Sequence, residues 1–202
     1  MTRKILLFSI AFIVLSSTFA SAQKAEITPY IGYRFGGAFT NRAQDVSFNA
    51  QNSASFGAIF DYKVYDFLMD EFHWSRQGTT LELTQDAQAV ETSISINNFH
   101  GGILFQGGTR DLQPFFLASM GATSFGFHDG DSTTNFSLGL GVGMKGLVTD
   151  RLGWRVEFRG FTTFTNIEDE YEVCDVWGCA TVTNTSTIFW QSQVLFGLVV
   201  AF

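Results

Sequence analysis

Long apolar runs, basic clusters and cysteines are all scarce in this chain, and each scarcity narrows what it can be. The one sustained apolar run, residues 5–15, is too short for a membrane-spanning helix, which leaves no place for a helical bundle in lipid. Charged residues make up only 15%, with Lys+Arg 12 against Asp+Glu 19 and a net charge of −7, and no basic cluster occurs. That balance argues against nucleic acid as a partner. The apolar run follows Arg3 and Lys4 and precedes Ala20-Ser21-Ala22, the pattern of a secretory signal peptide over residues 1–22. No Cys follows the cleavage site, so a lipid anchor there is not expected. Residues 23–202 then form one domain, and loss of Arg3 and Lys4 takes the net charge from −7 to −9.

What the chain has instead is Phe, 23 of them, and 20 Gly. So much Phe without long runs implies many short strands. In the closing stretch, Trp190, Ser192, Val194, Phe196, Leu198, Val200 and Phe202 fall at every second position, an apolar face ending on an aromatic residue. The opposite face is mixed: Gln191, Gln193 and Gly197, with Leu195 and Val199. A soluble domain seldom ends so, whereas the closing strand of a transmembrane barrel requires it.

The same period of two recurs upstream. Residues 25–37 set Ile27, Ile31, Tyr33 and Phe35 against Thr28, Tyr30, Gly32 and Arg34. Residues 55–64 set Phe56, Ala58, Phe60, Tyr62 and Val64 against Gly57, Ile59, Asp61 and Lys63. A third strand from Phe67 places Phe72 and Trp74 opposite Glu71, His73 and Ser75, which leaves Asp70 on the apolar side. A fourth covers residues 92–106, with Asn97-Asn98 as a candidate bulge. A fifth, residues 112–127, is apolar or small on both faces. The sixth opposes Phe136, Leu138, Leu140, Val142 and Met144 to Ser137, Gly139, Gly141, Gly143 and Lys145. The seventh opposes Leu152, Trp154, Val156 and Phe158 to Gly153, Arg155, Glu157 and Arg159. Polar residues 38–53, 78–91, 128–134 and 165–185 read as long loops, alternating with short turns at Tyr65-Asp66, 107–111 and 149–153.

Eight antiparallel strands in hydrocarbon must close, because an open edge leaves backbone groups unsatisfied. The expected fold is therefore an all-β, eight-stranded transmembrane barrel, with termini and short turns periplasmic and long loops extracellular. A lipid-facing Arg near mid-membrane costs roughly 2–4 kcal/mol, so Arg155, Glu157 and Arg159 belong inside. Inward Arg34, Lys63, Lys145, Arg155 and Arg159 then face Asp61, Glu71 and Glu157 as a lumen charge network, and inward glycines make room for them. An eight-stranded lumen is just wide enough to be filled by side chains, so a plug is expected rather than an open pore. The competing architecture is a soluble lipocalin-type barrel with the apolar face inside, which strand period alone permits.

ITPYIGYRFGG (residues 27–37), EFHWSRQG (residues 71–78), the Gly-alternating strand of residues 137–146 and the closing LFGLVVAF together make the chain resemble a known family. It is similar to the small outer-membrane β-barrels of Gram-negative bacteria, of OmpA and OmpX type. The resemblance implies residence in outer-membrane lipid and insertion by the barrel assembly machinery, which reads a terminal strand ending in Phe, here Phe202. No peptidoglycan-binding domain follows, and the paired cysteines of the fourth loop are not a general family feature.

Other constellations read more plainly. Gly141-Val-Gly143-Met-Lys-Gly146 matches G-x-G-x-x-G by letter, but lies within a strand rather than between strand and helix. His73 and Ser75 with Glu71 or Glu82 suggest a hydrolytic set, as in lipid-modifying barrels. Residues two apart on a strand share a face but stand roughly 6–7 Å apart, so a direct nucleophile–base bond is not assured. His100 and His128 have no ligand spacing with His73. Cys174 and Cys179 suit a small-loop disulfide in an oxidising compartment, with a free thiol pair or metal site as alternatives. The same loop carries Glu168, Asp169, Glu170, Glu172 and Asp175, a solvated acidic face or a contact surface for cations or a cationic partner. Tyr171 and Trp177 would be its apolar anchors. The expectation is a non-enzymatic, cofactor-free surface or structural protein with an unidentified extracellular partner. A narrow channel or conduit for small or hydrophobic solutes is the second reading, and a lipid-modifying enzyme the third.

Overall fold

A computed structural model describes residues 24–41, 46–85, 88–127, 132–165, 171–175, 178–182 and 188–202; for residues 38–41, 46–49, 81–85, 88–92, 127, 171–175 and 178–182 the description is of backbone pairing. Among the described residues twelve strands follow one another: β1 (Ala25–Gly36), β2 (Ala38–Asn41), β3 (Val46–Ala50), β4 (Ser53–Tyr65), β5 (Leu68–Gln85), β6 (Gln88–Gln106), β7 (Gln113–Phe127), β8 (Ser132–Leu147), β9 (Leu152–Phe164), β10 (Tyr171–Asp175), β11 (Gly178–Val182) and β12 (Ile188–Ala201). Eight of them, β1, β4, β5, β6, β7, β8, β9 and β12, pair antiparallel in that order, and β1–β12 closes the ring. No helix among the described residues is long and apolar enough to cross a membrane.

The alternation sorts side chains as the period demands. Phe56, Phe72, Leu140, Val142, Phe158, Phe196 and Leu198 lie outward and exposed, while Arg34, Asp61, Lys145, Arg155, Glu157 and Arg159 are buried inside. A barrel with the apolar face inward is thereby ruled out. Asp70 does lie outward. In β7 the structure resolves the ambiguous register: Phe115, Leu117, Ser119, Thr123 and Phe125 point inward, Phe116 and Met120 outward. The two chain ends meet at the seam, with Lys24 N donating to Phe202 O at 3.0 Å and Phe202 N to Ala25 O at 2.8 Å.

Four expectations need correction. Residues 78–91 are no loop: β5 and β6 stay paired up to Gln85↔Gln88. Thr79, Thr80, Val90 and Thr92 are β-branched, and an aqueous strand satisfies its backbone with a neighbour as readily as a buried one. Residues 38–53 hold β2 and β3, and β3 covers the free edge of upper β5 from Ser47↔Thr84 to Ala50↔Leu81. The longest loop likewise contains the hairpin β10–β11. Asn97 and Asn98 pair without interruption, and the register shift falls instead between Lys63 and Tyr65, beside the turn.

The short turns are locally specified. Gly108 has φ 93, which suits Gly, and directly after it Thr109 bridges Leu112. Thr149 Oγ1 accepts from the backbone N–H of Leu152 at 2.9 Å, and Arg110 ties this turn to its neighbour through Asp150 at 2.6 Å.

A charged lumen as the candidate functional site

Inward parity on five strands brings ionisable groups to the barrel axis. Arg155 on β9 donates from Nη1 to Asp61 Oδ2 at 2.8 Å, from Nη2 to Glu71 Oε2 at 2.6 Å, and from Nε to Glu157 Oε2 at 2.8 Å. Arg159, four residues further along the same face of β9, donates from Nη2 to Glu71 Oε1 at 2.7 Å and from Nε to Glu157 Oε1. Glu71 and Glu157 thus each bridge both guanidiniums. All five side chains are essentially without solvent contact. Charge-assisted, multidentate contacts of this kind are the geometry in which buried ions hold one another.

Of the other residues expected in the network, Lys145 joins a separate pair: its Nζ lies 2.7 Å from Glu26 Oε2 and 3.0 Å from Met69 Sδ. Glu26 was missed by the sequence reading, although it shares parity with Thr28 and Tyr30. Arg34 does not touch a carboxylate. It donates from Nη2 to Ser75 Oγ at 2.7 Å and Gln193 Oε1 at 2.8 Å, and its guanidinium carbon stands 5.0 Å from the Phe161 ring centre. Lys63 lies at the mouth instead, paired at 2.7 Å with Asp66 in the turn. That hydrogen bond and charge hold the Asp66 carboxyl below its usual range. Among the described inward residues, four cations (Arg34, Lys145, Arg155, Arg159) balance four carboxylates (Glu26, Asp61, Glu71, Glu157).

Neutral layers flank the ions. Toward the periplasm, Met69, Leu104, Phe115 and Leu117 cluster, and Arg155 lies over the Phe115 ring at 4.5 Å. Gly143 makes this possible, because a Cβ there would come within 2.5 Å of Phe115 Cζ. Toward the extracellular mouth, Ala50, Ile94, Ile96, Phe125 and Phe189 form an apolar lid. Between lid and ions lies a hydrogen-bonded tier in which Tyr30 Oη sits 2.7 Å from His73 Nε2 and Ser137 Oγ sits 2.8 Å from His100 Nε2.

The hydrolytic set does not assemble. His73 bonds Tyr30 rather than Ser75, whose Oγ accepts from Arg34. The bonded serine–histidine pair is Ser137–His100, with Ser119 Oγ at 3.2 Å on the other ring nitrogen and all three buried. Sequence reasoning missed it because the two residues lie 37 positions apart. Gly141 and Gly143 are inward positions of β8, so the dinucleotide fingerprint has no structural context. Among the described residues no group of three His, Cys, Asp or Glu is placed to hold a metal.

Cys174 and Cys179 stand directly opposite in the β10–β11 ladder. Tyr171, Glu172 and Asp175 also lie in that hairpin's ladder, which is described as backbone. The proposed signal peptide, His128, Glu168, Asp169, Glu170 and Trp177 lie outside the described residues. Phe202 closes the seam, exposed on the outward side.

Comparison with known proteins gives one sequence family, described as "Outer membrane protein beta-barrel domain", which matches residues 8–202. No curated protein matches the chain. Among solved structures it is similar to Neisserial surface protein A (13% identity, TM-score 0.60, covering 88% of this chain and 97% of that one). It is also similar to the outer membrane protein OprG from Pseudomonas aeruginosa (10%, TM-score 0.59, 90% and 96%). A third is the outer membrane protein AlkL determined in lipid bilayers (9%, TM-score 0.54, 92% and 93%). At these identities the likeness is one of fold.

Proposed function

Since the chain belongs to the outer-membrane protein β-barrel family, we propose that it is a closed barrel acting at the cell surface through its extracellular strands and loops, not through its lumen. The observation that carries this reading is Arg155 bound at once to Asp61, Glu71 and Glu157, with Arg159 locked to two of the same carboxylates. A solute crossing that layer must separate fully buried, mutually bonded ion pairs and leave their charges without partners away from water. This reading assigns no catalytic role to His100, which among the described residues is buried and bonded to both Ser137 and Ser119. Similarity to a protein named as a surface protein agrees with the assignment.

In this reading residues 1–22 are a signal peptide removed on export, and Phe202 is the mark read at insertion. A Cys174–Cys179 disulfide staples the β10–β11 hairpin, and Tyr171, Trp177 and the acidic residues of the same loop are the contact residues for an extracellular partner. What supports it is register alone: Cys174 and Cys179 are paired across the β10–β11 ladder. Intact mass of the secreted protein should be lower by two hydrogens than after reduction; an unchanged mass removes the staple.

Planar-bilayer recording of refolded protein, with folding checked by the unboiled gel shift, tests the closed lumen. Silence is expected. Reproducible current steps that change when Arg155 or Glu157 is neutralised would replace this reading with a channel.

A further inference from the structure

The lipid-facing wall has one feature that a uniform apolar belt does not explain. Outward residues of β1, β4, β5 and β6 leave a groove of about 340 Å³ lined by Ile27, Ala58, Phe60, Phe72, Trp74 and Phe99. It exists because small residues interrupt the aromatic surface. Ala58 stands across from Trp74, and Gly101 stands across from Phe72 with nothing within 4 Å of where its Cβ would be.

Arg76 stands at the extracellular end of this groove. It shares the outward face of β5 with Phe72 and Trp74, and strand rise places it roughly 6–7 Å beyond Trp74. Its ladder partners are Phe56 on one side and Asn97 on the other. It is exposed, and no carboxylate among the described residues pairs with it. It is also the one charged side chain described on the outward face of the extracellular half. Its depth is marked by the belt of Tyr33, Phe56 packed edge-on against Trp74, Phe136 stacked on Phe164, and Trp190. A guanidinium at that level meets lipid headgroups rather than tails. Its planar donors match a phosphate in two-point contact.

We propose that Arg76 and the groove beneath it bind one phosphorylated glycolipid of the outer leaflet, lipid A in chemical class. The phosphate sits on the guanidinium with Asn97 alongside, and one acyl chain lies over Ala58 between Phe72, Trp74 and Phe99. The polarity decides the leaflet: the cation is at the extracellular end, and the apolar groove runs from it toward mid-membrane. A lipid of the inner leaflet would need the reverse order.

The test is native mass spectrometry of the full chain, released from detergent after incubation with bisphosphorylated lipid A, its dephosphorylated form, or phosphatidylglycerol. Wild type should retain one equivalent of bisphosphorylated lipid A. Arg76→Glu should weaken retention by roughly tenfold to a hundredfold, the loss expected for a charge-assisted contact. Ala58→Trp, which fills the groove, should weaken it as well, while Leu140→Trp on the far wall should not. All three substitutions lie on the outward face, and the unboiled gel shift verifies each fold. Undiminished retention by both Arg76→Glu and Ala58→Trp would overturn the proposal. So would equal retention of the dephosphorylated lipid, or a preference for phosphatidylglycerol. None of these outcomes depends on whether the lumen conducts.

Discussion

Replacing Arg155 by Met removes the cation on which three buried carboxylates converge. Asp61 loses its one ion-pair partner, whereas Glu71 and Glu157 keep Arg159. Removing one member of a buried ion pair costs about 3–5 kcal/mol, because the remaining charge is stranded away from water. At 1.4 kcal/mol per factor of ten, this lowers the folding equilibrium by roughly two to three and a half decades. The stacking of the guanidinium on Phe115 at 4.5 Å is lost in the same change. The stranded charge can then be relieved: adding Asp61→Asn to Arg155→Met should recover part of the loss, with a coupling energy of about 0.5–3 kcal/mol. The assay is reversible urea unfolding of the full chain in lipid vesicles, read by tryptophan fluorescence and the unboiled gel shift. A cost for Arg155→Met below about 1 kcal/mol, the range of exposed pairs, would refute a dry, interlocked network. Strict additivity of the two substitutions would refute the direct pairing.

Three further outcomes follow from the same geometry. Leu140→Arg places a charge on the outward face in the middle of β8 and should destabilise the barrel by roughly 2–4 kcal/mol in vesicle unfolding. Gly143→Val drives a side chain into Phe115 beneath Arg155 and should cost about 1–3 kcal/mol, seen as a lower temperature for loss of the unboiled gel shift. At the turn, Lys63 holds the Asp66 carboxyl below its ordinary value. A depressed folded pKa means that the contribution of this pair is present above the unfolded pKa and is lost as pH falls through the folded one. NMR titration should therefore show Asp66 protonating at lower pH than in Lys63→Gln; coincident curves would remove the contact.

Sidedness, strand number and closure were legible in the residues because one physical rule governs all three. Side chains alternate with a period of two, and a slip by one residue would carry Arg155, Glu157 and Arg159 together into lipid. The inward glycines of β8 and the outward row of β12 say the same thing on different strands. Where neither face carries charge, as in β7, the pattern is silent, and neighbours on both sides set the register. Polar composition misled over residues 38–53 and 78–91, since hydrophilic residues beyond the bilayer still pair their backbones when an adjacent strand offers an edge.

The partners across the lumen are a different matter. Arg155 meets Asp61 from 94 positions away and Glu71 from 84, and Lys145 reaches Glu26 from 119. Period alone assigns each of these to the interior but cannot set its height along the axis, which depends on the stagger with which eight strands close. That stagger is why Lys63 ends at the mouth with Asp66 while Arg34 rests on Ser75, Gln193 and Phe161. It is also why Ala58, Trp74 and Arg76, unremarkable along the chain, line up as groove and cation on the outer wall. Which face a residue occupies is a local property of one strand, and the sequence determined it; which residues share a level is a property of the closed ring, and only the tertiary structure decided it.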